Sequence, residues 1–356
     1  MFSHVCLMLF LLPSVTCGRS LLERSCEALH VLKSHASRPD AAVYRCPGRC
    51  GGLGDNLAGV TGAALFALYS KRRIIIDWPW FPDWMESPIA QWHVSEEDSV
   101  AFQRKHPTVF SYHEPNPNDH LQLRAMHNVS KTYRYVIVTG HRGVTIEDGA
   151  HYFDQDFNKL LKCVVQAMLS LSHTFMRHMV TQHQGSAMSM QHLLATLTDS
   201  SIFSVGIHVR VGDSGTVKGL LSLDRMQKCF NKTKEYQEAM SKAHRKVAFL
   251  STNGQPIENV YNALVQTKLF DEVITLMHSV THHSEWGPIS EKATALKEAF
   301  TDIVALAHTR VLVQYSPFWG SQPSGFVQTA ALMANSNQIQ INGWSCGKIE
   351  YCSRFC

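Results

Sequence analysis

From Ser201 onward, short apolar, β-branched runs alternate with longer segments whose apolar residues recur at helical spacing. The run IFSVGIHV is followed by a helical stretch from about Asp224 to His244, then VAFLS, a helix through IENVYNAL, and EVITL. A long helix from about Ile289 to His308, the run RVLVQYS, a helix through FVQTAALMA and the run QIQIN complete the series. Continuous apolar runs separated by helices predict right-handed βαβ units around a parallel sheet. The first half begins in the same style. A strand around Val43 and Tyr44 enters the loop CPGRCGGLGDN, and Leu57, Val60, Thr61, Ala64, Leu65 and Leu68 then mark one face of a helix. That helix ends at Lys71, Arg72 and Arg73, and IIID reads as a buried strand. YRYVIVTG is a further strand before the loop at His141, Arg142 and Gly143, and a helical segment runs from about Phe157 to Thr181. Residues 183–200, rich in Gln, Ser, Met and Thr, read as the connection between halves.

The predicted fold class is α/β, with two Rossmann-like domains facing one another across a cleft in the GT-B-like manner. The domains are an N-terminal one over 18–195 and a C-terminal one over 196–345. A cysteine-rich tail spans 346–356. Such an arrangement does not by itself establish an activity.

Length and composition agree with this: 356 residues that are 45% hydrophobic suffice for two cored domains. A formal charge of +4 with scattered Lys and Arg excludes a nucleic-acid footprint. Residues 1–17 carry an apolar run from Val5 to about Val15, too short to span a bilayer. It reads as a signal peptide, or alternatively as a short type II anchor, and no later stretch reads as a transmembrane helix. Eight cysteines follow it: Cys26, Cys46, Cys50, Cys163, Cys229, Cys346, Cys352 and Cys356. With the sequons at Asn128 and Asn231, they predict disulfides and a secretory-pathway protein, in the Golgi lumen or secreted. Cys46 and Cys50 are expected to hold the glycine loop, and the tail to be stapled.

In an open parallel sheet, ligands sit beyond the carboxyl ends of the strands. His208, Arg210, Gly212 and Asp213 follow the first strand of the second half, Thr252 and Asn253 the second, and Tyr315 to Phe326 the fourth. An arginine fork suits a pyrophosphate, and His208 adds a second candidate donor. Asp213 either orients Arg210 or takes a proton from an acceptor hydroxyl. Ser324 and Gly325 open a helix whose free N–H groups favour a phosphate. The sum is a nucleotide-diphosphate site. His278, His282 and His283 have a spacing that suits zinc, yet no carboxylate or cysteine pattern completes a site, so a surface loop is the reading and no metal is expected. Trp78, Trp80, Trp84 and Trp92 form either an acceptor platform or a buried aromatic cluster.

HVRVGD resembles the HxRxGD motif of the fucosyltransferase superfamily that includes α1,2-, α1,6- and protein O-fucosyltransferases and plant xyloglucan fucosyltransferases. GGLGDNLAGVTGAALFALYSKRRIIIDW is similar to the N-terminal glycine loop and helix of those enzymes, and TGHRGVT to an Arg-Gly loop of the plant-type branch. VAFLSTNG and AFTDIVALAHTRVLVQYSPFWGSQPSGFVQTAALMA resemble the later C-terminal motifs. The resemblance implies inverting, metal-independent fucosyl transfer from GDP-fucose to a hydroxyl of a glycan, polysaccharide or glycoprotein, with no cofactor. It implies Arg210 on the pyrophosphate with His208 beside it, and Asp302, Ser324, Gly325 and Phe326 at the nucleotide. Gly52, Gly54, Gly212, Asn56 and Asn253 are further donor-side candidates, and His141, Arg142, Trp80 and Trp84 are acceptor-side candidates. Three departures stand out: Val211 where many relatives have a second arginine, Asp55 before Asn56, and Asn253 where a carboxylate is common. They keep two other readings open: a catalytically inactive carbohydrate- or nucleotide-binding protein on the same fold, and a transferase using another nucleotide sugar.

Overall fold

The computed structural model describes residues 26–45, 52–78, 84–87, 89–92, 94–95, 98, 100, 108–112, 131–140, 157–178, 180–183, 186–210, 223–252, 257–276, 289–315, 324–334, 338–343, 346–347 and 349. After helix α1 (Glu27–His35), the first sheet is built from β1 (Ala41–Arg45), β2 (Arg73–Asp77), β3 (Ala90–Gln91), β4 (Thr108–Tyr112) and β5 (Tyr135–Gly140). Its spatial order is β3-β2-β1-β5-β4 and every pairing is parallel. Helix α2 (Leu53–Ser70) crosses from β1 to β2 and is buried along nearly its whole length, as its apolar and small residues require. It ends where Lys71 enters the left-handed region at φ 57°, its N–H capping the carbonyls of Ala67 and Leu68. The basic cluster is thus the turn that returns the chain to β2.

The predicted segment 157–181 is two helices, α3 (Phe157–Met168) and α4 (His173–His178), followed by strand β6 (Val180–His183). Backbone pairing replaces the helix between them: Glu86 N–H donates to Ser170 O and Ser172 N–H to Trp84 O. The Ser172 hydroxyl then accepts from Phe175 N–H to start α4. The expected connection at 183–200 is also structured. Strand β7 (Ser186–Ser189) forms an antiparallel hairpin with β6, and helix α5 (Met190–Thr198) is capped by Ser189 and buries Met190, Leu193, Leu194 and Leu197. Apolar residues at i, i+3, i+4 and i+7 were the missed signal amid the polar composition.

The second sheet contains β8 (Ile202–Val209), β9 (Arg245–Thr252), β10 (Glu272–Thr275), β11 (Val311–Tyr315) and β12 (Ile339–Asn342), in the order β10-β9-β8-β11-β12, again all parallel. The helix expected over 224–244 breaks into α6 (Leu223–Lys232) and α7 (Lys234–Ser241) at Thr233. That residue is extended, and its hydroxyl donates back to Cys229 O. Helices α8 (Ile257–Gln266), α9 (Ile289–Ala307) and α10 (Gly325–Met333) follow as predicted. In this sheet the order of strands reverses between β8 and β11, the switch point of a doubly wound fold.

The halves are joined by packing. Residues of α2, α3, α9 and α10 belong to one continuous apolar core, and the Gln166 amide on α3 donates to the carbonyls of Met333 and Ala334 at the end of α10. Disulfides bind Cys26, the N-cap of α1, to Cys163 on α3, and Cys229 on α6 to Cys346 beyond β12. The tail is therefore fastened to a helix. The leader, Cys46, Cys50, Asn128, the histidines at 278–283 and Cys352 and Cys356 lie outside the described residues. No helix among the described residues is long and apolar enough to cross a membrane.

Candidate nucleotide site

At the carboxyl end of the second sheet, three buried polar side chains stand level on neighbouring strands. Ser251 on β9 pairs in register with His208 on β8, which pairs with Gln314 on β11. In a parallel sheet, register partners share a face. That face is covered by α9 and α10, and each polar group on it has a partner there. Ser251 Oγ donates to Asp302 Oδ2 of α9 at 2.7 Å, and His208 Nδ1 lies 3.4 Å from Ser251 Oγ. Gln314 Oε1 accepts from Ser324 N–H at 3.2 Å. The His208 ring stacks on Phe326, with centroids 4.8 Å apart and planes inclined by 18°. Burial pushes the His208 imidazole down to about 3, and the neighbouring Arg210 charge acts in the same direction, so the ring is neutral at pH 7.

Arg210 continues the ladder one step past β8. Its N–H donates to Tyr315 O at 2.9 Å, which anchors it at the switch point, and its side chain is half-buried. Ser324 is the N-cap of α10, its hydroxyl accepting from Val327 N–H, so the first turn of that helix begins beside Phe326 and His208.

The glycine loop of the first half meets this same helix start. Gly52 caps α2, and Gly54 lies in its first turn against the backbone of Gly325 and Phe326. Asn56 is buried, accepting from Tyr44 OH at 3.0 Å and donating to Gly52 O at 3.0 Å, so its amide ties the end of β1 to the start of α2. At the carboxyl edge of the first sheet, in-register Arg45 and Asp77 form an ion pair at 2.5 Å.

The structure thus brings His208, Arg210, Asp302, Ser324, Gly325, Phe326, Gly52, Gly54 and Asn56 to one locality. Within it, Asp302 reaches His208 through Ser251. Asp213, Gly212, Asn253, His141, Arg142 and Trp80 lie outside the described residues. Trp84 does not stand with this group. It is half-buried, packed against the core with Phe175 at 6.0 Å, while Trp78 and Trp92 are buried outright. Ser251, Gln314, Tyr44 and the Arg45–Asp77 pair were missed. Strand-end position is the signal that could have found all of them.

No protein-family model matches the chain, and no curated protein matches it. Among solved structures, an Arabidopsis thaliana FUT1 variant in complex with GDP is 12% identical, covers 91% of this chain and 80% of its own, and superposes with a TM-score of 0.52. The fucosyltransferase NodZ from Bradyrhizobium is 17% identical over 82% of this chain and 93% of its own, with a TM-score of 0.44. The NodZ α-1,6-fucosyltransferase soaked with GDP-fucose is 16% identical over 82% and 92%, also at 0.44. The chain has the α/β, GT-B-like fold of the Arabidopsis protein.

Proposed function

We propose that the protein is an inverting glycosyltransferase that moves fucose from GDP-fucose to a hydroxyl of a glycan, polysaccharide or glycoprotein. The observation that carries this reading is the placement of Arg210 at the switch point of the second sheet, its backbone held by Tyr315 and its neighbours the capped start of α10 and the stacked His208–Phe326 pair. A guanidinium there is suited to grip a diphosphate through paired hydrogen bonds. As the bond from C1 of the sugar to the β-phosphate oxygen breaks, its electron pair passes to the phosphate. A fixed cation stabilises that growing charge more strongly than it stabilises the bound donor. The arginine supplies this charge, so the reaction needs no metal. The acceptor oxygen attacks C1 from the opposite face and loses its proton to a base, a role we assign to Asp213, with His141, Arg142 and Trp80 toward the acceptor. The GDP bound in the Arabidopsis structure of the same fold supports a guanine nucleotide as the donor's carrier. Two disulfides, and an exposed Asn231 in a sequon at the α6–α7 junction, support folding in the secretory pathway, in the Golgi lumen or on the way out of the cell.

Release of GDP from GDP-fucose in the presence of a glycan library tests the reading. Turnover that survives EDTA and falls by about 10²–10³ in Arg210→Ala is expected. Arg210→Lys should fail nearly as badly, because a point charge does not replace the fork. Full activity in Arg210→Ala would remove the assignment, and turnover of a uridine or adenosine diphosphate sugar instead would change the donor.

A further inference from the structure

We propose that Ser251 is a positioning residue that holds the proton of His208 on Nδ1, so that the motif histidine meets its ligand with the lone pair of Nε2 and accepts a hydrogen from it. The chain Asp302–Ser251–His208 determines the direction. A carboxylate only accepts, so the single hydrogen of the Ser251 hydroxyl is used on Asp302 Oδ2, 2.7 Å away. Ser251 Oγ can then offer His208 only a lone pair, and the ring nitrogen facing it at 3.4 Å must carry the hydrogen. The three side chains are 3%, 1% and 2% exposed, so water does not substitute for either bond. Phe326 holds the plane of the imidazole. A half-turn of the ring that kept this stack would aim a carbon at Ser251 and leave the oxygen unpaired. Among the described residues Nε2 makes no hydrogen bond.

This reverses the expectation that His208 donates to a pyrophosphate. A neutral imidazole with its lone pair outward repels a phosphate oxygen. Two residues along the strand, Arg210 lies about 6.6 Å further toward the carboxyl edge. The two groups therefore divide the ligand: the cation takes the anionic part, and the histidine takes a neighbouring N–H or O–H group. Specificity follows, because a ligand lacking that hydrogen leaves a buried acceptor unmatched. Only this division rests on the function proposed above, through Arg210; the proton's location does not.

The experiment is nitrogen NMR of the full chain labelled with ¹⁵N-histidine, at pH 7 without ligand, the His208 signals identified by their loss in His208→Gln. The expected result is a neutral ring protonated on Nδ1. In Ser251→Ala the proton should move to Nε2 or distribute over both nitrogens, whereas Ser251→Thr, which keeps the hydroxyl, should retain the wild-type pattern. GDP affinity should fall about tenfold in Ser251→Ala and stay near wild type in Ser251→Thr. A wild-type ring protonated on Nε2, or on both nitrogens at pH 7, would overturn the proposal. So would an unchanged tautomer in Ser251→Ala. Should Ser251→Ala not fold, the wild-type and Ser251→Thr spectra decide the matter. If no variant binds GDP, the functional reading fails while the spectra still decide the proton.

Discussion

Gly54, in the first turn of α2, lies directly against the backbone nitrogen of Phe326, in the first turn of α10. A Cβ on Gly54 would come within 2.2 Å of that nitrogen and 2.4 Å of Gly325 C. Both neighbours are backbone, so neither can swing aside, and the two helix starts can approach only because this position lacks a side chain. Gly54→Ala is therefore expected to lower stability by roughly 1–3 kcal/mol and to displace Phe326 from His208. Chemical denaturation together with GDP titration checks it: a variant with wild-type stability and affinity would mean the junction is looser than described.

Acid should weaken the fold well before carboxylates protonate. His208 and His308 are both depressed by burial, His308 despite a hydrogen bond to Val304 O that works the other way, and His35 is depressed by burial and by the charges of Arg38 and Lys71. Below pH 6.5 the unfolded chain takes up protons that the native rings refuse. Stability present above that pH is therefore lost as pH falls, for His208 down to about pH 3. The slope is at most about 1.4 kcal/mol per pH unit for each such ring. Melting temperatures between pH 7.5 and 4.5 should fall steadily, and less steeply in His208→Gln.

The disulfides close sequence separations of 137 and 117 residues, Cys26 to Cys163 and Cys229 to Cys346. Each constrains the unfolded chain, and losing either, as in Cys163→Ser or Cys229→Ser, is expected to cost about 2–5 kcal/mol. Thermal scans with and without reductant should show the wild type falling toward the variants. Insensitivity to reductant would contradict these pairings.

Trp84 is expected to matter for packing. Its ring lies against Phe175, and its carbonyl receives Ser172 N–H where α3 gives way to α4. Trp84→Ala should destabilise by up to about 3 kcal/mol while leaving the GDP-induced thermal shift intact. A stable variant with impaired acceptor use would favour the platform reading.

Much of the second half was legible because a parallel strand buried on both faces is a continuous apolar run, and IFSVGIHV, VAFLS and RVLVQYS have no other plausible home, while QIQIN alternates as befits the edge strand it forms. The chain's own helical periodicity is overruled in two places, once by a distant segment and once locally. Residues 169–172 leave the helix to pair with 84–86, some 85 positions away in the chain. Thr233 ends α6 by turning extended, its N–H and its hydroxyl both donating to Cys229 O. The site divides in the same way. Arg210 and His208 announced themselves as polar groups at the end of a greasy strand. Ser251 did not, since a serine closing VAFLS is unremarkable until the register sets it beside His208 and α9 brings Asp302 over it. Asn56 drew notice as a loop residue, but the structure uses its amide to bind β1 to α2.

Thermal stabilisation by GDP, UDP and ADP, recorded side by side for the wild type and Arg210→Ala, tests most directly whether Arg210 holds a guanine nucleotide. A rise in melting temperature with GDP, a much smaller one with UDP or ADP, and none with GDP in the variant is expected. An equal rise in Arg210→Ala, or no response to GDP in the wild type, would contradict it.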